Sequence, residues 1–171
     1  MTSFHLKQKV FSTRARYKLY NQKDELAYEA AARPFSFGWT IDLTKAKDKQ
    51  PLYTIKRRRF KLRPTYVVLD NGGAQVAKTV KRLAFLKQKV TVETTHGAWR
   101  IDGTYWAHQF TLMDGNQTLA LMQKKRFSFG DSYEINLTGK HDEAFYLTLM
   151  VLIDSKFHSR KSNKRSTSRR R

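Results

Sequence analysis

The chain has 171 residues, of which 40% are hydrophobic, and its 34 lysines and arginines outnumber 14 acidic residues, giving a formal charge of +20 at pH 7. This length supports one domain with a sizeable core and is short for two. The absence of cysteine excludes disulfide scaffolds, thiolate metal sites and cysteine nucleophiles, and an intracellular location is the default expectation. Lysines and arginines interrupt the N-terminal residues too often for the apolar core of a secretory signal.

Short runs rich in β-branched and aromatic residues alternate with turn signals along the chain, which is typical of successive hairpins. The clearest turn is Asp-Asn-Gly-Gly at 70–73, because asparagine and glycine tolerate the positive φ of tight hairpins. In chain order, the runs predict strands around Tyr17, Leu26, Trp39, Leu52, Phe60, Val67, Val76, Val90, Trp99, Phe110, Leu119 and Ile135.

About twelve antiparallel strands hide their edges by closing on themselves, so the pattern predicts a barrel or closed sandwich. A barrel with this many strands has an interior too wide for its own side chains to fill. The sequence therefore requires a further element inside the barrel.

Four segments resemble one another and cover much of the predicted barrel. Each holds an aromatic residue, then a polar, glycine or proline break, then alternating apolar residues. They indicate either copies of one strand-turn-strand unit or the ordinary self-similarity of a meander. The segments are ARPFSFGWTIDL from 32, KRRRFKLRPTYVVLD from 56, VKRLAFLKQKVTVE from 80 and QKKRFSFGDSYEIN from 123.

The one unbroken apolar run is DEAFYLTLMVLID, at 142–154. It is too short for a transmembrane span, which needs about 20 apolar residues. Its length also suits a central strand, but its alanine, leucine and methionine content favours a helix, with Asp142 as a possible N-cap. A helix that is apolar on every side is buried on every side, so this segment is the candidate that fills the barrel.

The predicted fold is therefore mostly β, with about twelve antiparallel strands in a barrel that encloses a central hydrophobic C-terminal helix. The predicted division places the barrel domain at 1–155 and a basic disordered tail at 156–171.

Five segments between residues 5 and 155 carry a likeness to a known family in their order and spacing. They are WTIDL after FSFG, KRRRFKLRPTYVVLDNGGAQVAK, WRIDGTYWAHQFTLMDGNQTLALM, LALMQKKRFSFGDSYEINL and the closing DEAFYLTLMVLID. Together they resemble the tubby C-terminal-like superfamily, specifically the LURP-one-related proteins and their bacterial YxjI-like members.

The resemblance implies a twelve-stranded barrel around a central C-terminal helix. The superfamily includes tubby proteins, which bind phosphoinositides through basic residues on the barrel, and phospholipid scramblases. The LURP-one-related branch has no agreed biochemical activity, so the resemblance implies none. The residues of the tubby phosphoinositide pocket cannot be assigned to positions in this sequence. The long basic extension after the helix departs from the family pattern.

No catalytic constellation is evident in the sequence. The five histidines are scattered and none has a helical i, i+4 partner, so each is interpreted as a surface or turn residue. No serine lies in a nucleophile elbow, and no glycine-rich loop cradles phosphate, since Gly72 and Gly73 belong to a hairpin. We therefore expect no enzymatic activity, no cofactor and no metal site.

Positive charge is concentrated in two segments. Residues 45–89 hold fourteen basic residues against Asp48 and Asp70, a net of +12, and residues 156–171 hold eight more with no acid. A field this one-sided attracts polyanions, although it also serves solubility. The predicted phosphate- or anion-binding residues are Lys56, Arg57, Arg58, Arg59, Lys61, Arg63, Lys81, Arg82, Lys124, Lys125 and Arg126.

Three functions fit this charge. The first is peripheral binding to anionic phospholipid or phosphoinositide headgroups, in the cytoplasm at the inner face of the membrane. The second is RNA or DNA binding, since KKRFSFGDSY is superficially similar to the basic and aromatic strand of an RNA-recognition sheet. The third is a structural or interaction scaffold. Inward-facing Phe60, Phe85 and Phe127 would argue against the second, because rings inside a barrel cannot stack on bases.

Overall fold

The computed structural model describes residues 2–8, 16–34, 36, 38–58, 65–82, 88–104, 109–125 and 132–167, with the side chains of 8, 80–82, 88, 104 and 156–167 outside the described set. These residues form twelve strands and one helix. The strands are β1 (Thr2–Gln8), β2 (Arg16–Tyr20), β3 (Leu26–Ala32), β4 (Thr40–Lys45), β5 (Pro51–Arg57), β6 (Thr65–Asp70), β7 (Gln75–Arg82), β8 (Gln88–Thr94), β9 (Gly97–Thr104), β10 (Gln109–Asp114), β11 (Gln117–Lys124) and β12 (Ser132–Leu137).

Each strand pairs antiparallel with its neighbours in the chain, and β1 pairs with β12 to close the barrel. The closing register places Phe4 opposite Ile135. This confirms the predicted twelve-stranded antiparallel barrel. Strand β1 was not predicted, and Phe60, around which a strand was predicted, lies outside the described residues.

The hairpin predicted at 70–73 is confirmed between β6 and β7. The amide of Gly73, which has a φ of +84°, donates to the carbonyl of Asp70 at 3.0 Å. The Asp70 carboxylate accepts a second hydrogen bond, from the amide of Ala74, at 2.8 Å. The turn thus uses the positive φ that glycine tolerates and the side-chain acceptor that aspartate provides.

Strand residues alternate between the barrel interior and its outer surface. In β10, Phe110 and Leu112 are buried, and in β12, Tyr133, Ile135 and Leu137 are buried. This period of two follows from the pleat of the strand. It gives the barrel an apolar lining that is continuous with the apolar surface of the helix.

The first half of helix α1 (Glu143–Thr167) occupies the interior of the barrel. Every residue from Ala144 to Ser155 is buried, so no face of this part of the helix meets solvent. Its apolar side chains belong to the same core as the inward-facing strand residues. The prediction that 142–154 fills the barrel is confirmed. Among the described residues, no helix has the length and apolar composition needed to cross a membrane.

Hydrogen bonds to two acids fix the first turn of α1. Asp142 caps the helix, accepting from the amide of Ala144 at 3.2 Å, and also accepts from the Tyr53 hydroxyl at 2.7 Å. Glu143 accepts from the Tyr28 hydroxyl at 2.6 Å. Because Tyr28 and Tyr53 belong to β3 and β5, these bonds join the start of the helix to the barrel wall.

The helix continues past the limit predicted for the barrel domain. Residues 156–167, which were predicted to belong to a disordered tail, extend α1 in the structure. Lysine and arginine are good helix formers, and their charge interacts favourably with the C-terminal end of a helix dipole. The division of the chain at residue 155 remains a prediction.

Replacing Leu149 tests the interior position of α1. Leu149 is fully buried, and we expect Leu149→Asp to prevent folding, because an unpaired buried charge costs several kcal/mol against a total stability of about 5–15 kcal/mol. Leu149→Met, the matched control, should cost less than about 1.5 kcal/mol. Circular dichroism during thermal unfolding measures both, and a Leu149→Asp protein with the wild-type midpoint would contradict the assignment.

The tyrosine–carboxylate pairs predict a loss of stability at alkaline pH. Burial, followed by the hydrogen bond to the carboxylate, raises the pKa of Tyr28 and of Tyr53 above the usual value. The unfolded chain loses these protons near pH ~10 while the folded chain keeps them, so the stabilisation is complete below pH ~10 and declines as the pH rises further.

We expect the double variant Tyr28→Phe/Tyr53→Phe to show a shallower decline in unfolding free energy above pH ~10 than the wild type. Chemical denaturation at a series of pH values measures the slope, with each protein referenced to its own value at neutral pH. Identical slopes for the two proteins would show that these hydroxyls do not control the alkaline response.

Candidate anion-binding site

The two ends of the barrel differ in the connections they carry. Odd-numbered strands finish at one end, which we call the basic end, and even-numbered strands finish at the other, which we call the turn end. Helix α1 follows β12, so it starts at the turn end and runs through the interior towards the basic end. Each predicted basic cluster can therefore be located by the strand that precedes it.

The described residues of all three predicted clusters lie at the basic end. Lys56 and Arg57 are the last residues of β5, and Arg58 follows; all three are exposed. Lys81 and Arg82 end β7, with their side chains outside the described set, and Lys124 ends β11. Exposed Lys125 follows, and Arg59, Lys61, Arg63 and Arg126 lie outside the described residues, as do Phe60, Phe85 and Phe127.

The described cluster residues end strands on two opposite sides of the barrel and do not share one lateral face. In the closed strand order, β5 and β7 are separated by one strand, but β11 lies on the opposite side of the barrel from β5. The basic segment 45–89 is itself divided, because Lys45, Lys47 and Lys49 lie at the turn end.

A groove of about 400 Å³ lies at the basic end, between the β3–β4 connection and the end of β5. The backbone ties its two walls together, since the amide of Arg57 donates to the carbonyl of Trp39 at 3.1 Å. Gly38, with a φ of +116°, allows the chain to turn before Trp39. The groove is lined by Arg33, Pro34, Ser36, Gly38, Trp39, Thr40, Lys56 and Arg57.

The cations of this groove differ in their partners. Arg33 donates to the Asp42 carboxylate from Nε at 2.8 Å and from Nη2 at 2.7 Å, and these hydrogen bonds raise the pKa of the guanidinium. Within the described part of the chain, no ion pair joins Lys56 or Arg57 to an acid. The groove therefore carries two basic side chains whose charge no described acid neutralises.

Aromatic side chains line the same region. The ring of Trp39 meets that of Tyr66 edge to face, with centroids 5.6 Å apart. Burial raises the pKa of Tyr66, and the positive charge of Arg57 acts in the opposite direction. The β5–β6 register, which places Arg57 opposite Tyr66, accounts for this influence.

A second groove, of about 350 Å³, lies on the outer surface of β2, β3 and β4 and shares Arg33 and Pro34 with the first. The small side chains Ala31 and Ala32 line it, and its charges are mixed. Arg16 and Lys18 line the second groove together with Glu29 and Asp42. This balance makes it a weaker candidate for an anion than the groove at Lys56 and Arg57.

Sequence reasoning identified Lys56 and Arg57 but missed Arg33, Ser36 and Trp39 as parts of the same groove. The β4–β5 register, which places Thr40 opposite Lys56, brings these two parts of the chain together. The similarity of the repeated segments could have indicated this groove. ARPFSFGW in the first segment occupies the same position as KRRRF in the second.

The structure also brings together two histidines that appear unrelated in the sequence. The rings of His96 and His141 stack with centroids 4.1 Å apart at the turn end, near the buried Trp99. Across the described residues, no three histidine, aspartate or glutamate side chains form a group that could hold a metal ion. The two rings lie far along the chain from each other, in the β8–β9 turn and the β12–α1 connection.

The fold defines a closed twelve-stranded barrel protein with a helix in its core, and basic residues finish β5, β7 and β11 at one end. The model of the LURP-one-related family matches residues 2–154, and the chain belongs to this family. It is 28% identical over 154 residues to the uncharacterized protein YxjI of Bacillus subtilis (strain 168), covering 90% of this chain and 93% of that protein. No solved structure gives a significant match.

Proposed function

We propose that this protein binds anionic phospholipid headgroups peripherally through its basic end and catalyses no reaction. The observation that supports this most is the common location of the three basic clusters, which are separated along the chain but finish odd-numbered strands at one end of the barrel. A charged surface of this form binds an extended anionic plane better than scattered charges do.

The expected free energy follows from the number of basic residues near the membrane surface. Each lysine or arginine close to an anionic leaflet contributes about 1 kcal/mol, and the effect falls off within a Debye length, about 8 Å at physiological salt. Lys56, Arg57 and Arg58 alone would therefore contribute about 3 kcal/mol. Binding of this kind is reversible and sensitive to salt.

The C-terminal part of α1 adds to the same end. The helix enters from the turn end, so residues 156–167 follow the buried part towards the basic end. They include Lys156, Arg160 and Lys164, at helical spacings of four residues, together with Lys161 and Arg165. Barrel and helix extension thus support one binding surface, and the proposed location is the cytoplasm, at the inner face of the membrane.

Charge reversal at the end of β5 tests the proposal. We expect Lys56→Glu/Arg57→Glu/Arg58→Glu to lower the affinity for vesicles containing phosphatidylglycerol at least 100-fold, since about 3 kcal/mol of attraction is lost and repulsion is added. Co-sedimentation with vesicles across a salt series measures this. Removing residues 156–171 should weaken binding further while the barrel stays folded.

The matched control is Lys23→Glu/Lys47→Glu/Lys140→Glu, which changes the net charge equally with three exposed residues at the turn end. It should retain most of the wild-type binding. Equal losses in the two triple variants would mean that total charge, and not the basic end, determines binding. Tight binding of single-stranded RNA without any response to vesicles would replace the lipid proposal with a nucleic-acid one.

A further inference from the structure

We propose that the groove between the β3–β4 connection and the end of β5 binds a phosphate monoester in preference to a phosphodiester, a specificity that rests on the proposed function of the basic end. The ligand would be a terminal phosphate, either on a lipid headgroup or on a small soluble molecule. Lys56 and Arg57 supply the charge of the site, and Arg33, Ser36 and Trp39 form part of its lining.

The charge of the groove matches a dianion. Asp42 neutralises Arg33, while Lys56 and Arg57 have no acid partner among the described residues, so two positive charges remain. A phosphate monoester carries a charge of about −1.5 to −2 at pH 7, because its second pKa is about 6. A phosphodiester carries a single negative charge and leaves one of the two cations uncompensated.

The walls of the groove are ordered before any ligand arrives. Asp42 holds the Arg33 guanidinium through two hydrogen bonds, and the Thr54 hydroxyl fixes Asp42 in turn at 2.8 Å. The Ser36 hydroxyl donates to the carbonyl of Gly38 at 2.7 Å, which closes the β3–β4 connection on itself. These bonds fix the wall of the groove around Arg33 and Ser36, so this part of the site needs no further ordering when an anion binds.

The size and lining of the groove favour a phosphate that carries an organic group over inorganic phosphate. A volume of about 400 Å³ lies within the range of small-molecule sites, about 300–1,000 Å³. Partly buried Trp39 offers an aromatic surface beside the cations, on which an organic group attached to the phosphate can pack. Arginine and lysine on the opposite wall supply the forked donor and the compact charge that phosphate oxygens favour.

Isothermal titration calorimetry with glycerol 3-phosphate and with glycerophosphoglycerol, a phosphodiester with a single negative charge, tests the preference in solution. We expect the monoester to bind about tenfold more tightly at neutral pH, and to lose this advantage as the pH falls through about 6 and the phosphate gains a proton. Lys56→Gln/Arg57→Gln should abolish the difference, while Lys47→Gln/Lys140→Gln, at the turn end, should preserve it. Equal affinities in the wild type would overturn the proposal.

Vesicles distinguish the source of the phosphate. Binding is compared between vesicles of phosphatidic acid and of phosphatidylglycerol in neutral lipid, matched for surface charge. A preference for phosphatidic acid that needs Lys56 and Arg57 supports a lipid monoester. A preference for glycerol 3-phosphate without vesicle binding supports a soluble ligand and contradicts the membrane proposal, whereas equal binding to both vesicles without any preference in solution retains that proposal and overturns this one.

Discussion

The structure depends on one geometric constraint, the width of a closed twelve-stranded barrel. Side chains from the wall cannot meet across such an interior, so the barrel is stable only with an apolar element inside it. Helix α1 meets this need because its residues from Ala144 to Ser155 are buried on every face. Barrel and helix therefore form one core, and neither is complete without the other.

The same constraint fixes the direction of the charged parts of the chain. An antiparallel barrel with an even number of strands returns the chain to the turn end after β12, and α1 has to run from there towards the other end. Capping by Asp142, with the hydroxyls of Tyr28 and Tyr53 on the first turn, fixes this starting point. The basic end therefore receives the basic segments that follow odd-numbered strands. It is also the end towards which the basic extension of α1 runs, although these parts are distant in sequence.

Local patterns made much of the fold predictable. The hairpin at 70–73, the Asp142 cap and the all-round apolarity of 142–154 each depend on a few adjacent residues, and the structure confirms them. Strand β1 has a weak local signal because Phe4 and Leu6 are its only two apolar residues, and one of its two partners, β12, lies at the far end of the chain.

The site was less predictable because it depends on register. Nothing local in the sequence indicates that Thr40 lies opposite Lys56, and without that pairing Arg33 and Trp39 cannot be assigned to the groove of Lys56 and Arg57. The stacking of His96 on His141 has the same origin, since it joins two turns that only the closed barrel brings together. Residue type identified the cations, but long-range pairing determined which of them share a surface.

The positions of the acidic residues determine where the positive charge of the protein is compensated. Several cations have acid partners: Lys78 lies 3.1 Å from Glu93 and Arg100 lies 2.8 Å from Asp102 on the wall of the barrel, and Lys49, at the turn end, pairs with Glu29. Such exposed pairs add little stability, about 0–1 kcal/mol each, but they cancel charge locally.

At the end of β5 this cancellation stops, because Lys56 and Arg57 have no acid partner among the described residues. Exposed Lys56, Arg57 and Arg58 therefore leave uncompensated positive charge at this end of the barrel, and the proposed anion binding would use this charge. Under the proposed function, an anionic plane would bind at this end of the barrel, where the groove lined by Trp39 and Arg57 lies.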